Sequence, residues 1–301
     1  MLNTYVVEGG IGKCTAFTAL IPKLAKKDGE AIQIYTPYID CFAFNPDVAM
    51  AYEQSLPITD PRIMASDNIY YCEPYKSNFA FGKQHLIEAY CKLFDVDYTP
   101  EMTPKLYTTH LKDRAVEWLE KNGITGKYML VQFSGGQPPI GWNPNNSYAS
   151  HTPLRNYPPY MAQQIINQLR TEYPNVAIVD VTLPNEPSFA GALKCTEHWA
   201  VIHEMLKHAE GFIAIDSCLN HFSASAKKSG VVLWGPTRWT QFGYAHNTNL
   251  QFHMDDKWNE QKFDFQDPRN VLVDPQHVVD AYKNILLTGR DLPKNVVCLS
   301  A

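Results

Sequence analysis

The chain has 301 residues, of which 45% are hydrophobic and 19% charged, and its formal net charge is −5. This composition excludes a disordered or fibrous chain, and the length corresponds to about two domains of ~150 residues each. The negative charge argues against a protein that coats nucleic acid through bulk electrostatics.

The lack of a recognisable targeting signal and the spacing of the cysteines predict a cytoplasmic protein. The opening residues, MLNTYVVEGGIGK, contain neither the basic region nor the apolar region of a signal peptide. No apolar run approaches the ~20 residues of a membrane span. The seven cysteines are scattered and form no CxxC pair, so we expect neither a disulfide framework nor a zinc site.

Short β-prone runs alternate with runs of helical periodicity along the chain. In order, they predict strand 4–7, helix 15–27, strand 31–35, helix 85–94, helix 111–122, strand 128–133, helix 161–170, strand 176–181, helix 200–209, strand 212–215, helix 221–228, strand 231–234 and helix 278–287. Residues 46–83 and 134–160 are rich in proline and aromatic side chains, and we expect both to be irregular. A loop as long as the second is usually functional or disordered.

The strand–helix alternation runs twice, with a break near residues 112–127. The first half opens with a βαβ pattern, which is the seed of a doubly wound parallel sheet. The sequence therefore predicts an α/β fold of two Rossmann-like, doubly wound domains that face a central cleft. The predicted domains are residues 1–115 and residues 125–301, and we expect the last helix to pack back on the first domain.

The segment Glu8–Thr15, EGGIGKCT, follows the first strand and is rich in glycine. The P-loop of an ATPase needs Gly-x-x-x-x-Gly-Lys-Ser/Thr, because its main-chain amides wrap the phosphates and its hydroxyl binds magnesium. Here Glu8 occupies the position of a signature lysine, and Cys14, a poor magnesium ligand, occupies the hydroxyl position. Three interpretations remain: a P-loop ATPase, a simple strand-to-helix turn, or a turn that brings a substrate to a helix N-terminus.

A second motif spans residues 211–237, GFIAIDSCLNHFSASAKKSGVVLWGPT. A predicted strand ends at Asp216 and Ser217. A helix begins near His221, and the next strand leads into Gly235-Pro236-Thr237. Doubly wound folds bind ligands at the carboxyl edge of the sheet, and a helix N-terminus there suits a diphosphate. Taken alone, an Asp-Ser pair at this position is more often a helix N-cap than a ligand contact, and the residues by themselves leave both interpretations open.

The order of these residues resembles the donor-domain signature of the heptosyltransferase family, glycosyltransferase family 9. That signature runs Asp-Ser-x-x-x-His-x-x-x-Ala, then a strand, then Gly-Pro-Thr. Its positions in this chain are Asp216, Ser217, His221, Ser225 or Ala226, and Gly235-Pro236-Thr237. Weaker matches in the family's order extend the resemblance over most of the chain: His85 with Tyr90, Arg155-x-Tyr157-Pro158, and Thr182–Glu186.

The resemblance implies a GT-B fold in which the C-terminal domain binds a nucleotide-sugar donor and the N-terminal domain binds the acceptor, without an obligatory metal or other cofactor. Arg155 would be the cation on the donor diphosphate, a role that the family gives to lysine. Glu186 would bind the ribose hydroxyls, and Leu183 would flank the base. The expected donor-binding residues are Gly12, Ser134, Arg155, Leu183, Glu186, Asp216, Ser217, Cys218, His221, Gly235 and Thr237.

One position departs from the family's pattern. The first loop of the family usually carries Gly-Asp, whose aspartate is the expected base for the acceptor hydroxyl, whereas this chain has Gly12-Lys13. An ammonium cannot take that proton unless its pKa falls far, through burial or a like charge. Three accounts remain open: Lys13 clamps the leaving diphosphate, Glu8 or Asp40 acts as the base, or the protein binds a nucleotide sugar without turning it over.

Two aromatic-rich loops, residues 68–81 and 142–160, are expected to recognise the acceptor. The predicted acceptor-binding residues are Arg62, Tyr75 and Lys76. The second loop adds three aromatic side chains suited to contact a ligand: Trp142, Tyr148 and Tyr157. The resemblance thus implies a metal-independent glycosyltransferase that moves a sugar from a nucleotide-diphosphate donor to a hydroxyl of a glycan, a protein or a modified nucleobase.

Overall fold

The structure is a computed structural model and describes residues 2–76, 84–135, 156–184, 186–235, 237–252, 273–288 and 297–299. The chain divides into an N-terminal unit, Met1–Tyr107, and a C-terminal unit, Thr108–Ala301. The division lies just before the 112–127 segment that the sequence indicated, because the helix at Lys112–Lys121 packs against the helix at Trp199–His208 of the C-terminal unit.

The N-terminal unit is built on a four-stranded parallel sheet. Its elements are β1 (Asn3–Val6), α1 (Ile11–Phe17), α2 (Ile21–Asp28), β2 (Ile32–Thr36), β3 (Val48–Glu53), α3 (Pro61–Met64), β4 (Asn68–Tyr71) and α4 (Leu86–Leu93), with 3-10 turns at Ile39–Cys41 and Pro74–Lys76. The strand order is β3-β2-β1-β4, and every described pair is parallel. The carboxyl ends of these strands therefore lie at one edge of the sheet.

Aromatic rings form much of the packing in the N-terminal unit. Phe17 on α1 lies edge-on to Tyr90 on α4, with ring centroids 5.2 Å apart. Tyr5 on β1 stacks on Tyr70 of β4 at 5.1 Å. Such pairs add to the free energy gained from burying the rings. Tyr70 belongs to the 68–81 loop that was expected to recognise the acceptor, and its ring instead packs against β1 of the same unit.

Two features of the N-terminal unit differ from the sequence predictions. The helix predicted for residues 15–27 is two helices, because Pro22 in the first turn of α2 has no N–H to continue a longer one. Between them, Thr18 Oγ1 donates to the main-chain oxygen of Thr15 at 2.6 Å. Residues 46–83 contain β3, α3 and β4, although they were predicted to be irregular. The mostly exposed strand β3 has no apolar alternation to reveal it.

The C-terminal unit is built on a seven-stranded sheet in which every described strand pair is parallel. After a 3-10 turn at Thr109–Leu111, its elements are α5 (Lys112–Lys121), β5 (Tyr128–Gln132), α6 (Pro159–Glu172), β6 (Ala177–Val181), β7 (Leu193–Cys195), α7 (Trp199–His208), β8 (Phe212–Ile215), α8 (Cys218–Ala226), β9 (Val231–Trp234), α9 (Trp239–Phe242), β10 (Thr248–Phe252), α10 (Pro275–Thr288) and β11 (Val297–Leu299). The strand order is β11-β10-β9-β8-β5-β6-β7.

The central strands of this sheet, β5, β8 and β9, are buried along their whole length, as expected for a parallel sheet that is covered on both faces. Helices α6 and α10 pack together over a core that includes Met129, Ile165 and Tyr282. Tyr157 belongs to the same core, and its hydroxyl donates to the main-chain oxygen of Val273. The prediction that Tyr157 contacts a ligand is therefore wrong, whereas Trp142 and Tyr148 lie outside the described residues.

All the predicted strands and helices of the C-terminal unit are present, but β7, α9, β10 and β11 were not predicted. Helix α10 packs on α6 within this unit, and its packing on the N-terminal unit stays a prediction. Over the described ranges, no helix is long and apolar enough to cross a membrane. No disulfide joins any of the six cysteines whose side chains are described.

Candidate functional site

The strand order of the C-terminal sheet contains a topological switch point. From β5 the chain continues through β6 to β7 on one side, and it then crosses to β8 on the other side of β5. Doubly wound sheets bind ligands at this point, outside the carboxyl ends of the central strands. The residues there are Ser134 and Gly135 after β5, and Asp216 and Ser217 after β8.

Ser217 and Gln132 connect β8 to β5 at the switch point. The Ser217 hydroxyl donates a hydrogen bond of 2.6 Å to Oε1 of Gln132, the last residue of β5. Gly135, which follows β5, lies close to Ser217, since a Cβ at Gly135 would be 3.4 Å from Cβ of Ser217. Although Ser217 occupies the N-cap position of α8, its side chain makes no capping hydrogen bond. The first main-chain amides of α8 therefore face this edge of the sheet without a serine cap.

Glu186 joins the loops that follow β5 and β6. Its Oε2 accepts hydrogen bonds from the hydroxyls of Ser134 at 2.8 Å and Thr182 at 2.7 Å, and from the main-chain N–H of Leu183 at 3.0 Å. Lys194 Nζ donates to the main-chain oxygen of Glu186 at 2.5 Å and so holds the loop from the other side. Three residues that we predicted for donor binding, Ser134, Leu183 and Glu186, are thus brought together.

The N-terminal end of α8 lies next to the same strand ends. The helix begins at Cys218, earlier than the predicted start near His221. Asp216 and His221 are buried, with 7% and 5% of their surface exposed, whereas Cys218 is half-buried. Nδ1 of His221 lies 2.9 Å from the hydroxyl of Tyr244. His221 is thus the fourth residue of α8 and its ring is held next to Tyr244, and its role in donor binding stays a prediction.

Gly235 and Thr237 follow β9, and both are buried. The main-chain oxygen of Thr237 accepts from Nε2 of Gln251 at 3.0 Å. Within the described ranges, the Thr237 hydroxyl has no hydrogen-bond partner. Buried polar groups are nearly always hydrogen-bonded, so this hydroxyl is a candidate contact for a ligand. Arg155, the predicted diphosphate cation, and Pro236 lie outside the described residues.

In the N-terminal unit, Lys13 on α1 is turned toward the end of β4. Its Nζ lies 2.8 Å from Oε2 of Glu73 and 4.9 Å from the ring centroid of Tyr75. The side chain of Lys13 is 7% exposed and that of Glu73 is 32% exposed. The structure thus brings together two predicted site residues, Lys13 and Tyr75, around a glutamate that the sequence analysis did not select.

The remaining candidates of the N-terminal unit are at its surface. Glu8 is exposed, and its Oε1 accepts from Nε2 of Gln54 at 2.9 Å. Asp40 lies in the exposed part of a 3-10 turn. The side chain of Arg62 is exposed, and its Nε lies 2.8 Å from Oδ1 of Asp60 in an ion pair. Their roles as base or acceptor-binding residues stay predictions.

Helix α1 does not have the features of a P-loop helix. Gly12 is half-buried on α1 beside Lys13. Cys14 is fully buried, and its Sγ lies 3.7 Å from the main-chain oxygen of Val7. The position that would need a magnesium ligand therefore points into the core, and these contacts do not favour the ATPase interpretation. The side chain of Lys76, the last predicted acceptor residue, lies outside the described part of the structure.

No protein-family model and no curated protein matches this chain, but solved structures do. The glycosyltransferase family 9 protein of Veillonella parvula DSM 2008 is 13% identical, with a TM-score of 0.72 over 95% of this chain and 97% of that chain. The E. coli ADP-heptose lipopolysaccharide heptosyltransferase II is 12% identical, with a TM-score of 0.68 over 96% of this chain and 99% of that chain.

This chain has the fold of the family 9 heptosyltransferases. The similarity spans nearly all of both chains, so it includes the mixed α/β architecture with two parallel sheets that the sequence predicted. The resemblance found in the Asp216-Ser217, His221 and Gly235-Pro236-Thr237 motif is therefore confirmed at the level of the fold. At this level of sequence identity the similarity shows the fold, and the activity has to be argued from the residues of the site.

A third protein with this fold bears on the question of a metal. The iron-containing dodecameric glycosyltransferase TibC from enterotoxigenic E. coli H10407 is 13% identical, with a TM-score of 0.58 over 95% of this chain and 72% of that chain. In the part of the present chain that the structure describes, no three His, Cys, Asp or Glu side chains are grouped as a metal would require.

Two residues of the candidate site, Gln132 and Glu73, were missed from the sequence. Gln132 ends the buried strand β5, and a polar residue at the end of an apolar run is a signal that could have identified it. Glu73 gave no local signal, because its contact with Lys13 spans 60 positions of the chain. That contact depends on the parallel pairing of β1 with β4.

Proposed function

We propose that this chain is a glycosyltransferase that moves a sugar from a nucleoside-diphosphate sugar to an acceptor hydroxyl without a metal. The observation that supports it is the meeting of Ser134 and Gly135 with Asp216 and Ser217 at the switch point of a sheet with the family 9 fold. An ADP-sugar is the first donor to test, because a protein with the same fold is an ADP-heptose transferase by name.

In this proposal the N-terminal end of α8 binds the donor diphosphate. A helix N-terminus presents main-chain N–H groups and a partial positive charge, both of which favour a phosphate. The side chain of Ser217 bonds to Gln132 and does not cap these amides, which suits a helix end that a ligand caps. Arg155 supplies the cation for the diphosphate in this proposal, and Asp216 and Cys218 contact the sugar.

The nucleoside is proposed to lie against the loops after β5, β6 and β9. Oε2 of Glu186 already accepts three hydrogen bonds, so a ribose hydroxyl would donate to Oε1. Leu183 flanks the base, and the Thr237 hydroxyl, which lacks a described partner, gains one from the donor. The two units face a common cleft in this proposal, with the acceptor, a glycan, a protein or a modified nucleobase, on the N-terminal unit.

The catalytic contribution of the site is positioning and charge stabilisation. As the acceptor oxygen bonds to the anomeric carbon, its proton goes to a carboxylate base. The bond from that carbon to the diphosphate breaks, and the nucleoside diphosphate leaves with the electron pair. Negative charge grows on the leaving group, where the α8 N-terminus and Arg155 stabilise it more strongly than they stabilise the intact donor. Fixing donor and acceptor in one site lowers the entropic part of the barrier.

Thermal unfolding with ADP-, UDP- and GDP-sugars tests donor binding. At a hundredfold excess over Kd, the matching donor is expected to raise Tm by about 5 °C. Asp216→Asn should lower donor affinity about tenfold, because one contact to the sugar is lost. Asp113→Asn, at an exposed position of α5, is the matched control and should leave the shift unchanged. If no nucleotide sugar raises Tm, the proposed function is wrong.

Turnover separates an enzyme from a protein that only binds the donor. Release of nucleoside diphosphate, or transfer to an added acceptor, should continue in the presence of EDTA, since we propose no metal. A donor that binds without any release or transfer would contradict the enzymatic proposal. Activity that EDTA removes and iron restores would contradict metal independence alone, and iron is the metal to test because a protein with the same fold is iron-containing by name.

A further inference from the structure

Glu73 and Lys13 form an opposite-charge pair at the carboxyl edge of the N-terminal sheet. β1 and β4 are parallel neighbours with Val6 aligned to Tyr71, and the main-chain N–H of Cys72 donates to the oxygen of Val6 at 2.9 Å. Glu73 therefore leaves the sheet beside the glycine-rich loop that leads into α1. Lys13 reaches it from α1, with 2.8 Å between Nζ and Oε2.

Lys13 is unsuited to remove a proton in this setting. Its described neighbours are the Glu73 carboxylate and the face of the Tyr75 ring, and both attract a cation. An ammonium group has three N–H donors and no lone pair, so it cannot act as a base. Lys13 can instead orient the carboxylate to which it donates a hydrogen bond.

Glu73 has the properties that a proton acceptor needs. Its Oε2 accepts from Lys13 Nζ at 2.8 Å, and its Oε1 accepts from the main-chain N–H of Tyr75 at 3.0 Å. Each carboxylate oxygen can accept about two hydrogen bonds, so both oxygens retain capacity for a substrate hydroxyl. A side chain that is 32% exposed is fixed in place and still accessible. Glu8, in contrast, is exposed and bonded to Gln54.

We propose that Glu73 is the general base for the acceptor hydroxyl and that Lys13 is its positioning residue; this rests on the glycosyl transfer proposed above. The acceptor oxygen bonds to the anomeric carbon, and its proton goes to the Glu73 carboxylate. The bond from the anomeric carbon to the diphosphate breaks, and the nucleoside diphosphate takes the electron pair. Where the family's first loop carries Gly-Asp, this chain has Gly12-Lys13, and in this proposal the carboxylate comes instead from Glu73, which follows β4 and is paired with Lys13.

Glu73→Gln is the central test, because an amide keeps the shape and the hydrogen-bonding oxygen but is not a base. We expect kcat for transfer to fall by about 10²- to 10⁴-fold, with no change in the Tm shift produced by the donor. Glu53→Gln is the matched control, since Glu53 is an exposed carboxylate at the end of β3, on the same edge of the sheet, and it should retain full activity. A larger loss in Glu8→Gln or Asp40→Asn than in Glu73→Gln would overturn the inference.

Two further variants separate a base from a structural ion pair. Lys13→Met breaks the same pair but leaves the carboxylate, so its loss of kcat should be smaller than that of Glu73→Gln. Added formate, a small carboxylate, should restore part of the activity of Glu73→Ala and none of that of Lys13→Met. Equal losses in Lys13→Met and Glu73→Gln, together with no rescue of Glu73→Ala, would show that the pair is only structural.

The wild-type protein distinguishes this inference from the proposed function. An active wild type with an equally active Glu73→Gln variant overturns the role of Glu73 and leaves the glycosyltransferase proposal intact. A wild type that neither binds nor turns over any nucleotide sugar overturns both. A thermal unfolding curve of each variant, recorded without ligand, shows whether the variant is folded before its kinetics are interpreted.

Discussion

Ser134 donates a hydrogen bond of 2.8 Å to Oε2 of Glu186, and this bond joins the end of β5 to the loop that follows β6. The same oxygen accepts from Thr182 and from the main-chain N–H of Leu183. One carboxylate oxygen therefore fixes two neighbouring loops of the proposed nucleoside site. Hydrogen bonds to an ionised acceptor are stronger than those between neutral groups, so Glu186 is central to the shape of this edge.

Glu186→Ala should destabilise the fold and weaken donor binding together. Three donors lose their shared acceptor, and we expect the free energy of unfolding to fall by about 2–3 kcal/mol. Urea unfolding at neutral pH measures this change. Glu172→Ala is the matched control: Glu172 forms a surface ion pair with Lys283 at 3.6 Å, and its loss should cost less than about 1 kcal/mol. Equal effects in the two variants would contradict the role assigned to Glu186.

The hydrogen bond from Ser217 to Gln132 leads to a second prediction. Gln132→Leu removes the acceptor and leaves the Ser217 hydroxyl in place, so the start of α8 loses its link to β5. We expect the unfolding free energy to fall by about 1 kcal/mol and donor affinity to fall several-fold, as measured by titration calorimetry. Thr171→Ala removes a 3.0 Å bond to the main-chain oxygen of Asn167 on the exposed side of α6, and should leave donor affinity unchanged.

The buried strands were predictable from the sequence because each is a short apolar run between turn residues. Tyr128–Gln132 and Phe212–Ile215 are buried along their whole length, and a doubly wound order places their carboxyl ends together. The position of Asp216 and Ser217 at this edge of the sheet could be predicted in the same way. The interpretation of Ser217 as a side-chain cap did not hold, since its hydroxyl is used by Gln132.

What the sequence could not predict depends on contacts between distant segments. The strand at Val48–Glu53 is largely exposed and has no periodic pattern, so only its pairing with β2 defines it. The contact of Lys13 with Glu73 likewise requires β1 and β4 to be neighbours. The break between α1 and α2, in contrast, was predictable from the sequence, because Pro22 interrupts the helical pattern of residues 15–27.

The glycine-rich loop provides a third prediction. Gly9 has a φ of +102°, and a Cβ there would lie 2.9 Å from Cδ of Lys13. Gly9→Ala should therefore lower the unfolding free energy by about 1–2 kcal/mol and reduce transfer activity, because Lys13 must move away from Glu73. Gly10→Ala is the control, since φ is −72° and nothing lies within 4 Å of its added Cβ. It should cost less than about 1 kcal/mol.

Asp180 on β6 leads to a prediction about pH. Only 1% of this residue is exposed, and burial raises the pKa of its carboxyl from 3.8 to about 6, although the Ser188 hydroxyl donates to Oδ2 at 3.0 Å. A carboxyl whose pKa is higher in the folded state stabilises the fold below the unfolded pKa and loses that contribution as the pH rises through the folded pKa. The buried charge therefore disfavours the folded state at neutral pH.

Asp180→Asn removes this charge and should change the pH dependence of stability. The unfolding free energy of the variant minus that of the wild type should rise by on the order of 3 kcal/mol as the pH is raised from about 4 to about 7.5. Urea unfolding of both proteins at the two pH values measures this change. The change between the two pH values is the decisive quantity, because Asn keeps the hydrogen bond from Ser188 only in part. Asp113→Asn, at an exposed site, should show no such change. A difference between Asp180→Asn and the wild type that stays constant with pH would contradict the raised pKa and would show that Asp180 is stabilised by its hydrogen bonds.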